Sequence, residues 1–445
     1  MKRALWAMTF VVAGCGDGVE QLTYEQALEP EQCQTCHPEH YKQWSGSMHA
    51  FAGDDPLFRA MNARGQRETN GELGDFCVQC HAPLALQNGL TTDGTNLDEV
   101  PKHLRGVTCA YCHLTEAVEG THNNPLRLAT EVIMRGAFEA ADGAAHASAV
   151  SPLHDRSDPE SSNLCGSCHD IVLPNGVHLE QTFSEWKDSL FAHDTPAELQ
   201  TCGRCHMPGY DGVAADVPGV PLRRITDHKM VGVDVATIDW PEKDAQRAAI
   251  QQMLDTTVVA QMCIARVPGG TQVTIDLENL AAGHSFPSGA TIDRRVWVEL
   301  RATLGATEIY AVGNIPEGTA VATSTAADLW TFFDRAYKDD DEVAHMFWDV
   351  ARVDKNLMPA PTAISPADPD WRDPHVVRDF RFDGVADRIE MNVHIRPVGL
   401  DVIDDLIASG DLDASYRDLQ PTFTLSAANV VWTVDDGEGC VPDLR

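Results

Sequence analysis

One five-residue pattern, written five times, constrains this chain more than any other feature of its sequence. It reads Cys33-Gln34-Thr35-Cys36-His37, Cys77-Val78-Gln79-Cys80-His81, Cys109-Ala110-Tyr111-Cys112-His113, Cys165-Gly166-Ser167-Cys168-His169 and Cys202-Gly203-Arg204-Cys205-His206. Each copy is C-x-x-C-H, the pattern for thioether attachment of haem. The two thiols reach two vinyl groups on one porphyrin edge, and the next residue swings its imidazole beneath the iron. Zinc ribbons also use paired C-x-x-C, but they do not require a histidine after every second cysteine. The pattern predicts five covalently bound haem c groups held by the ten motif cysteines. His37, His81, His113, His169 and His206 are then the proximal iron ligands. Five such groups can supply the core that an irregular chain lacks, so folding is expected to depend on their attachment.

The chain has 445 residues, with 67 acidic against 33 basic and a formal net charge of -34. That charge repels nucleic acid and anionic lipid surfaces, and favours basic redox partner proteins or simply solubility. No apolar run reaches the roughly 18 to 20 residues of a transmembrane helix. The N-terminus reads as a targeting segment: Lys2 and Arg3, then apolar Ala4 to Val12, then Val12-Ala13-Gly14-Cys15. This matches a bacterial lipobox, with cleavage before Cys15 and a lipid on its thiol; an ordinary signal peptide with a stray cysteine is the alternative. The lipobox predicts a membrane contact through an N-terminal lipid anchor, in the bacterial cell envelope as a periplasmic or outer-membrane lipoprotein. Residues 1–15 are then the signal and 16–31 a tether. Cys263 and Cys440 remain, and an oxidising compartment suits a disulfide between them, with buried free thiols as the alternative.

Eighteen histidines are present, thirteen beyond the motif five. A low-spin iron takes a sixth ligand, and neutral imidazole suits it. The candidates are His49 just after the first motif, His122 and His146 between the third and fourth, His228 after the last, and His284 in Gly283-His284-Ser285-Phe286-Pro287. His154 shares the stretch with His122 and His146. Met207, adjacent to His206, lies on the wrong face for the same iron.

The expected fold is a mostly α or irregular multihaem domain over residues 32–240, followed by a β-sandwich-like domain over 241–445. Pro241 to about Ala260 reads as a helix, with Ala249, Ile250, Met253 and Leu254 on one face. Alternation of apolar and polar residues predicts strands over 272–278, 295–304, 388–395 and 422–434, and a short helix over 400–409. Asp339-Asp340-Asp341-Glu342 reads as a solvated loop or a calcium ligand set. Arg294 and Arg295 read as partners for haem propionates or as a solvated strand end.

Several stretches resemble one family. Cys33 to Ala50, C-Q-T-C-H-P-E-H-Y-K-Q-W-S-G-S-M-H-A, is similar to the first haem motif of the cytochrome c-552/c-554 family, related to hydroxylamine oxidoreductase and multihaem nitrite reductases. Phe183 to Ser189 and Cys202-Gly203-Arg204-Cys205-His206-Met207-Pro208 resemble its later motifs. Gly283 to Gly289 and Asp293 to Trp297 look like the β-domain attached to many of these cytochromes. The resemblance implies that His49 is a distal ligand. No C-x-x-C-K motif occurs, which argues against nitrite reductase activity. The function expected is electron transfer between redox partners. The alternative is an oxidoreductase acting on a small nitrogen or sulfur compound at a five-coordinate haem. A subunit of a haem filament is a third reading.

Overall fold

The computed structural model describes residues 20–139, 145–193 and 199–442. Its two halves differ in texture, as their sequences do. From Tyr24 to Thr226 short helices alternate with two-stranded ribbons, and the longest helix there is Pro56–Glu68. Asp55 caps that helix by accepting from Leu57 N at 3.0 Å, and Pro56 supplies the preset φ of its first turn. Part of the expected tether is folded: Tyr24–Ala27 is helical, and Leu28 packs beside Phe58, Val78 and Leu84. Cys15 lies outside the described residues.

The helix expected to reach residue 260 is Lys243–Leu254. It stops there because the period changes. Val258, Ala260, Met262 and Ile264 are buried alternately, the two-residue repeat of a strand, and Val258–Val267 is one. Pro268-Gly269, with Gly269 at φ 85°, turns it into Gly270–Asn279. That strand pairs in turn with His375–Asp383, a strand the sequence reading missed. Gly439–Val441 completes this four-stranded sheet on the other side.

A second, antiparallel sheet is built on Arg295–Leu304 and Arg388–Arg396. The expected strand over 422–434 is two pieces, Phe423–Thr424 and Val430–Thr433, separated by the turn Ser426–Ala428. Inward residues of both sheets, among them Met262, Ile275, Val298 and Met391, share one apolar cluster. Cys263 and Cys440 face each other across paired strands and are joined in a disulfide, 177 residues apart in sequence.

The sheet-rich half is packed on the first half. Val402, Ile403 and Leu406 of the helix Leu400–Ala408 meet Ala60 and Met61 of Pro56–Glu68. Arg64 pairs with Asp405 at 3.1 Å and Arg67 with Asp411 at 2.5 Å. The arginines offered to propionates are otherwise engaged. Arg294 grips Asp234 at 2.5 and 2.8 Å, and Arg295 grips Asp401. Both are nearly fully buried, so each needs its carboxylate, and the solvated strand end is ruled out too. In the acidic loop, Asp341 pairs with Arg352 at 2.9 Å, and no metal-holding group of His, Cys, Asp or Glu occurs among the described residues.

Removing the disulfide as Cys263→Ala with Cys440→Ala should lower stability by about 2–5 kcal/mol, because a long loop is no longer closed in the unfolded chain. Denaturant unfolding followed by far-ultraviolet circular dichroism checks this. An unchanged midpoint overturns it.

Candidate haem centres

Each motif lies on a short helix or runs out of one through a turn. Residues i, i+3 and i+4 of a helix share one face, so both cysteines and the histidine of C-x-x-C-H point the same way. Cys109–Leu114 and Cys202–His206 are single short helices of this kind. Thr201 caps the latter, its hydroxyl accepting from Arg204 N at 3.2 Å. In the fourth motif Gly166 is required by packing, since a Cβ there would fall 2.2 Å from the Phe183 ring.

All five motif imidazoles are oriented by a hydrogen bond from Nδ1. His37 donates to Ala214 O at 2.7 Å, His81 to Ala52 O at 3.2 Å, His113 to Arg135 O at 2.5 Å and His206 to Val231 O at 2.5 Å. His169 differs: its partner is the carboxylate of Glu180, at 3.3 Å. Fixing Nδ1 selects the tautomer that leaves the Nε2 lone pair free, the arrangement found around metal-ligating histidines. Burial pushes His37 down to about 4 and also lowers His81, His113 and His206, keeping them in the neutral, ligating form. At His169 burial acts in the same direction, but the hydrogen bond and charge of Glu180 outweigh it and hold the imidazole up at about 9.

Four motif histidines face a second imidazole at nearly one spacing. The ring centres of His37 and His146 are 6.2 Å apart, of His49 and His169 6.2 Å, of His113 and His228 6.3 Å, and of His206 and His284 6.3 Å. Two metal–nitrogen bonds of about 2 Å, with the radii of both rings, put imidazole centres about 6.2 Å apart across one metal. The spacing therefore fits an iron between each pair. His228, His284 and His146 also bond through Nδ1, to Thr226 O, Ser285 O and Ala147 O, leaving Nε2 free. His49 Nδ1 lies 2.8 Å from Met230 Sδ.

His81 has no such partner among the described residues; Phe58 lies flat on its ring at 4.2 Å. His122 is not brought to any motif histidine. It sits exposed in a turn made by Asn123 and Asn124, both at positive φ, and bonds only its neighbour Thr121. That turn is pinned by Asn124 N to Ser167 O, which fixes His122 on the outside. His154 lies 5.7 Å from His113, but both its nitrogens are engaged, by Ser151 Oγ and Cys112 O. His40, 4.7 Å from His228, and Glu180 were missed by sequence reasoning, which had no signal for either beyond a histidine in a helix and an acid after the fourth motif.

The turn carrying His284 is clamped to the first half. Glu185 accepts from Ser288 Oγ at 3.0 Å and Ser285 N at 3.3 Å, and Gly289 N donates to Thr182 Oγ1 at 3.0 Å.

The motif thiols also meet across motifs. Cys33 lies close enough to Cys109 to shift its titration, as Cys80 does to Cys168 and Cys165 to Cys202. The side chain of His169 is 51% accessible although protein closes around it. Oriented imidazoles, paired spacing and grouped thiols together fit haem c.

The comparisons with known proteins agree. Residues 32–114 match the family described as cytochrome c554 and c-prime. A penta-heme cytochrome c552 from Thermochromatium tepidum shares the fold at TM-score 0.62, with 19% identity over 91% of this chain and 98% of that one. No curated protein matches.

Two outcomes follow from this geometry. His284→Ala should turn one low-spin haem high-spin and lower the unfolding temperature, because its pairing with His206 links the two halves; an unchanged electron paramagnetic resonance spectrum in a folded, loaded variant removes His284 as a ligand. Glu180→Gln should raise the potential of one centre by about 60 mV, a tenfold change in a one-electron equilibrium, because a neutral partner makes His169 a weaker donor. Potentiometric titration reads this, and superimposable wild-type and variant curves exclude it.

Proposed function

We propose that this multihaem c-type cytochrome binds five haems and carries electrons between redox partner proteins, with four centres held by histidine pairs. The observation that carries the reading is the common spacing of His37–His146, His49–His169, His113–His228 and His206–His284. Bound haem supplies a reversible one-electron iron couple at each motif. The chain sets ligand strength through its Nδ1 partners, and a second imidazole keeps small molecules from an iron it occupies.

The thiol contacts support an order for the path. The first motif lies near the third at Cys33 and Cys109, the second near the fourth at Cys80 and Cys168, and the fourth near the fifth at Cys165 and Cys202. Cys112 is near enough to Cys168 to feel its charge, which brings the third motif near the fourth. The fourth motif is thus a junction, and its histidine is the one backed by a carboxylate.

A second reading rests on His81. With no imidazole opposite it among the described residues, that centre is the place where a small nitrogen or sulfur compound would reach iron, and the protein would then be an oxidoreductase. The sheet-rich half, on this reading a sandwich of its two sheets, contributes His284 and stabilises the assembly. The lipobox at Val12 to Cys15 supports a lipid anchor on Cys15 in the bacterial cell envelope.

The purified protein should gain five haem masses over the processed chain, and its ferric resonance spectrum should contain four low-spin centres and one high-spin centre. Carbon monoxide should shift the spectrum of that one centre in the reduced protein. Three or fewer haems, or two or more high-spin centres, defeats the assignment. Five low-spin centres leave electron transfer standing and eliminate reaction at His81. Detergent partitioning of wild type but not Cys15→Ser checks the anchor.

A further inference from the structure

His228, which faces the third motif histidine, stands on a loop just past the ribbon of Gly209–Val213 and Leu222–Thr226. Its own chain holds it in part. Asp227 N donates to Pro208 O at 3.0 Å, and His228 Nδ1 to Thr226 O at 2.8 Å. These bonds fix the ring relative to the loop. They do not fix the loop relative to the first motif, which is the task of Gln43.

Gln43 lies on the helix Pro38–Ser45, which begins at the residue after His37. It is 7% exposed, on a helix whose other side chains reach the surface at least in part. Its Oε1 accepts from His228 N at 2.9 Å. Its Nε2 donates to Tyr210 Oη at 3.0 Å and to Glu39 Oε1 at 3.1 Å. The partners decide which way round the amide stands. A backbone N–H only donates and the Glu39 carboxylate accepts, so the oxygen faces His228 and the nitrogen faces Glu39. The buried amide thus joins three pieces: the first-motif helix, the ribbon at Tyr210 and the loop at His228. One turn earlier on the same helix, His40 meets the His228 ring edge-on at 4.7 Å. Held in this way, the His228 ring lies 20° from the plane of His113, with ring centres 6.3 Å apart.

We infer that Gln43 is a positioning residue for the third centre, setting the strength of its sixth iron bond by holding the backbone of His228. The inference rests on the reading of His113 and His228 as one axial pair. Its reason is mechanical. A ligand carried on a loop keeps its place only if its backbone does, and a metal–nitrogen bond is short and directional, so a displaced backbone tilts or lengthens it. The helix that carries Gln43 starts beside the proximal ligand of the first centre, so the first and third centres are braced against each other through this amide.

Electron paramagnetic resonance and potentiometry of the full, haem-loaded protein test the inference. His228→Ala first marks the third centre, as the low-spin signal that it turns high-spin. If it removes no low-spin signal, the axial pairing fails and takes the inference with it. Gln43→Met, similar in length but without the amide, should then move the g values of that same signal and leave the other signals in place. It should also shift the one-electron equilibrium of that centre about tenfold toward the reduced form, because a weaker sixth bond stabilises ferric iron less. A purely structural role would lower the unfolding temperature without singling out one centre. An unchanged third-centre signal in a folded variant with five haems overturns the inference, as does equal disturbance of every signal. If Gln43→Met does not load haem, Tyr210→Phe decides, since it removes only one anchor of the amide. It should move the same signal in the same direction by less, and no movement overturns the inference.

Discussion

The first half of this protein depends on the hydrogen bond that each motif imidazole makes through Nδ1. Without it, a histidine after C-x-x-C can rotate, and either nitrogen can carry the proton. With it, one nitrogen is committed to a backbone carbonyl or to Glu180 and the other is left to bind metal. The acceptors come from chain far from the motif. Ala214 and Ala52 are 177 and 29 residues away from the histidines they hold. The irregular segments between motifs therefore help to orient the motif imidazoles, and the apolar clusters of this half are small.

The second half stands on different physics. Its sheets bury alternating aliphatic side chains in one continuous cluster, and its disulfide joins the strand at Cys440 to the strand at Cys263. It is nonetheless bound to the haem side by three kinds of contact. Apolar side chains join Leu400–Ala408 to Pro56–Glu68, ion pairs join Arg64 and Arg67 to Asp405 and Asp411, and the clamped turn brings His284 to His206. Surface pairs such as Arg67–Asp411 contribute little each. The apolar contact and the clamped turn are what make the halves one body.

Single substitutions are decided by these arrangements. Gly166 is in the fourth motif because Phe183 needs the space its missing Cβ leaves, a requirement of packing and not of haem attachment. Glu180 gives one of five chemically identical motifs a different iron environment. Proteins tune such centres through their surroundings, since the porphyrin and the proximal ligand are the same at each.

The motifs were legible in the sequence because their chemistry is local: two sulfurs and a nitrogen within five residues, on one helical face. The strands Arg295–Leu304 and Arg388–Arg396 were legible for a similar reason, since alternation is a property of consecutive residues. The end of the helix at Leu254 was misjudged because Val258 to Ile264 fits an apolar helix face as readily as a strand until its partner strand is known. His375–Asp383 was missed because it buries little of its own surface and is held mainly by pairing with Gly270–Asn279. The distal histidines were a short set of candidates in the sequence. Their approach to particular motifs, the placing of His122 on an outer turn, the lack of an imidazole opposite His81 among the described residues and the carboxylate behind His169 were decided only by tertiary structure. Each depends on bringing together residues tens to hundreds of positions apart, a distance over which sequence spacing carries no information about geometry.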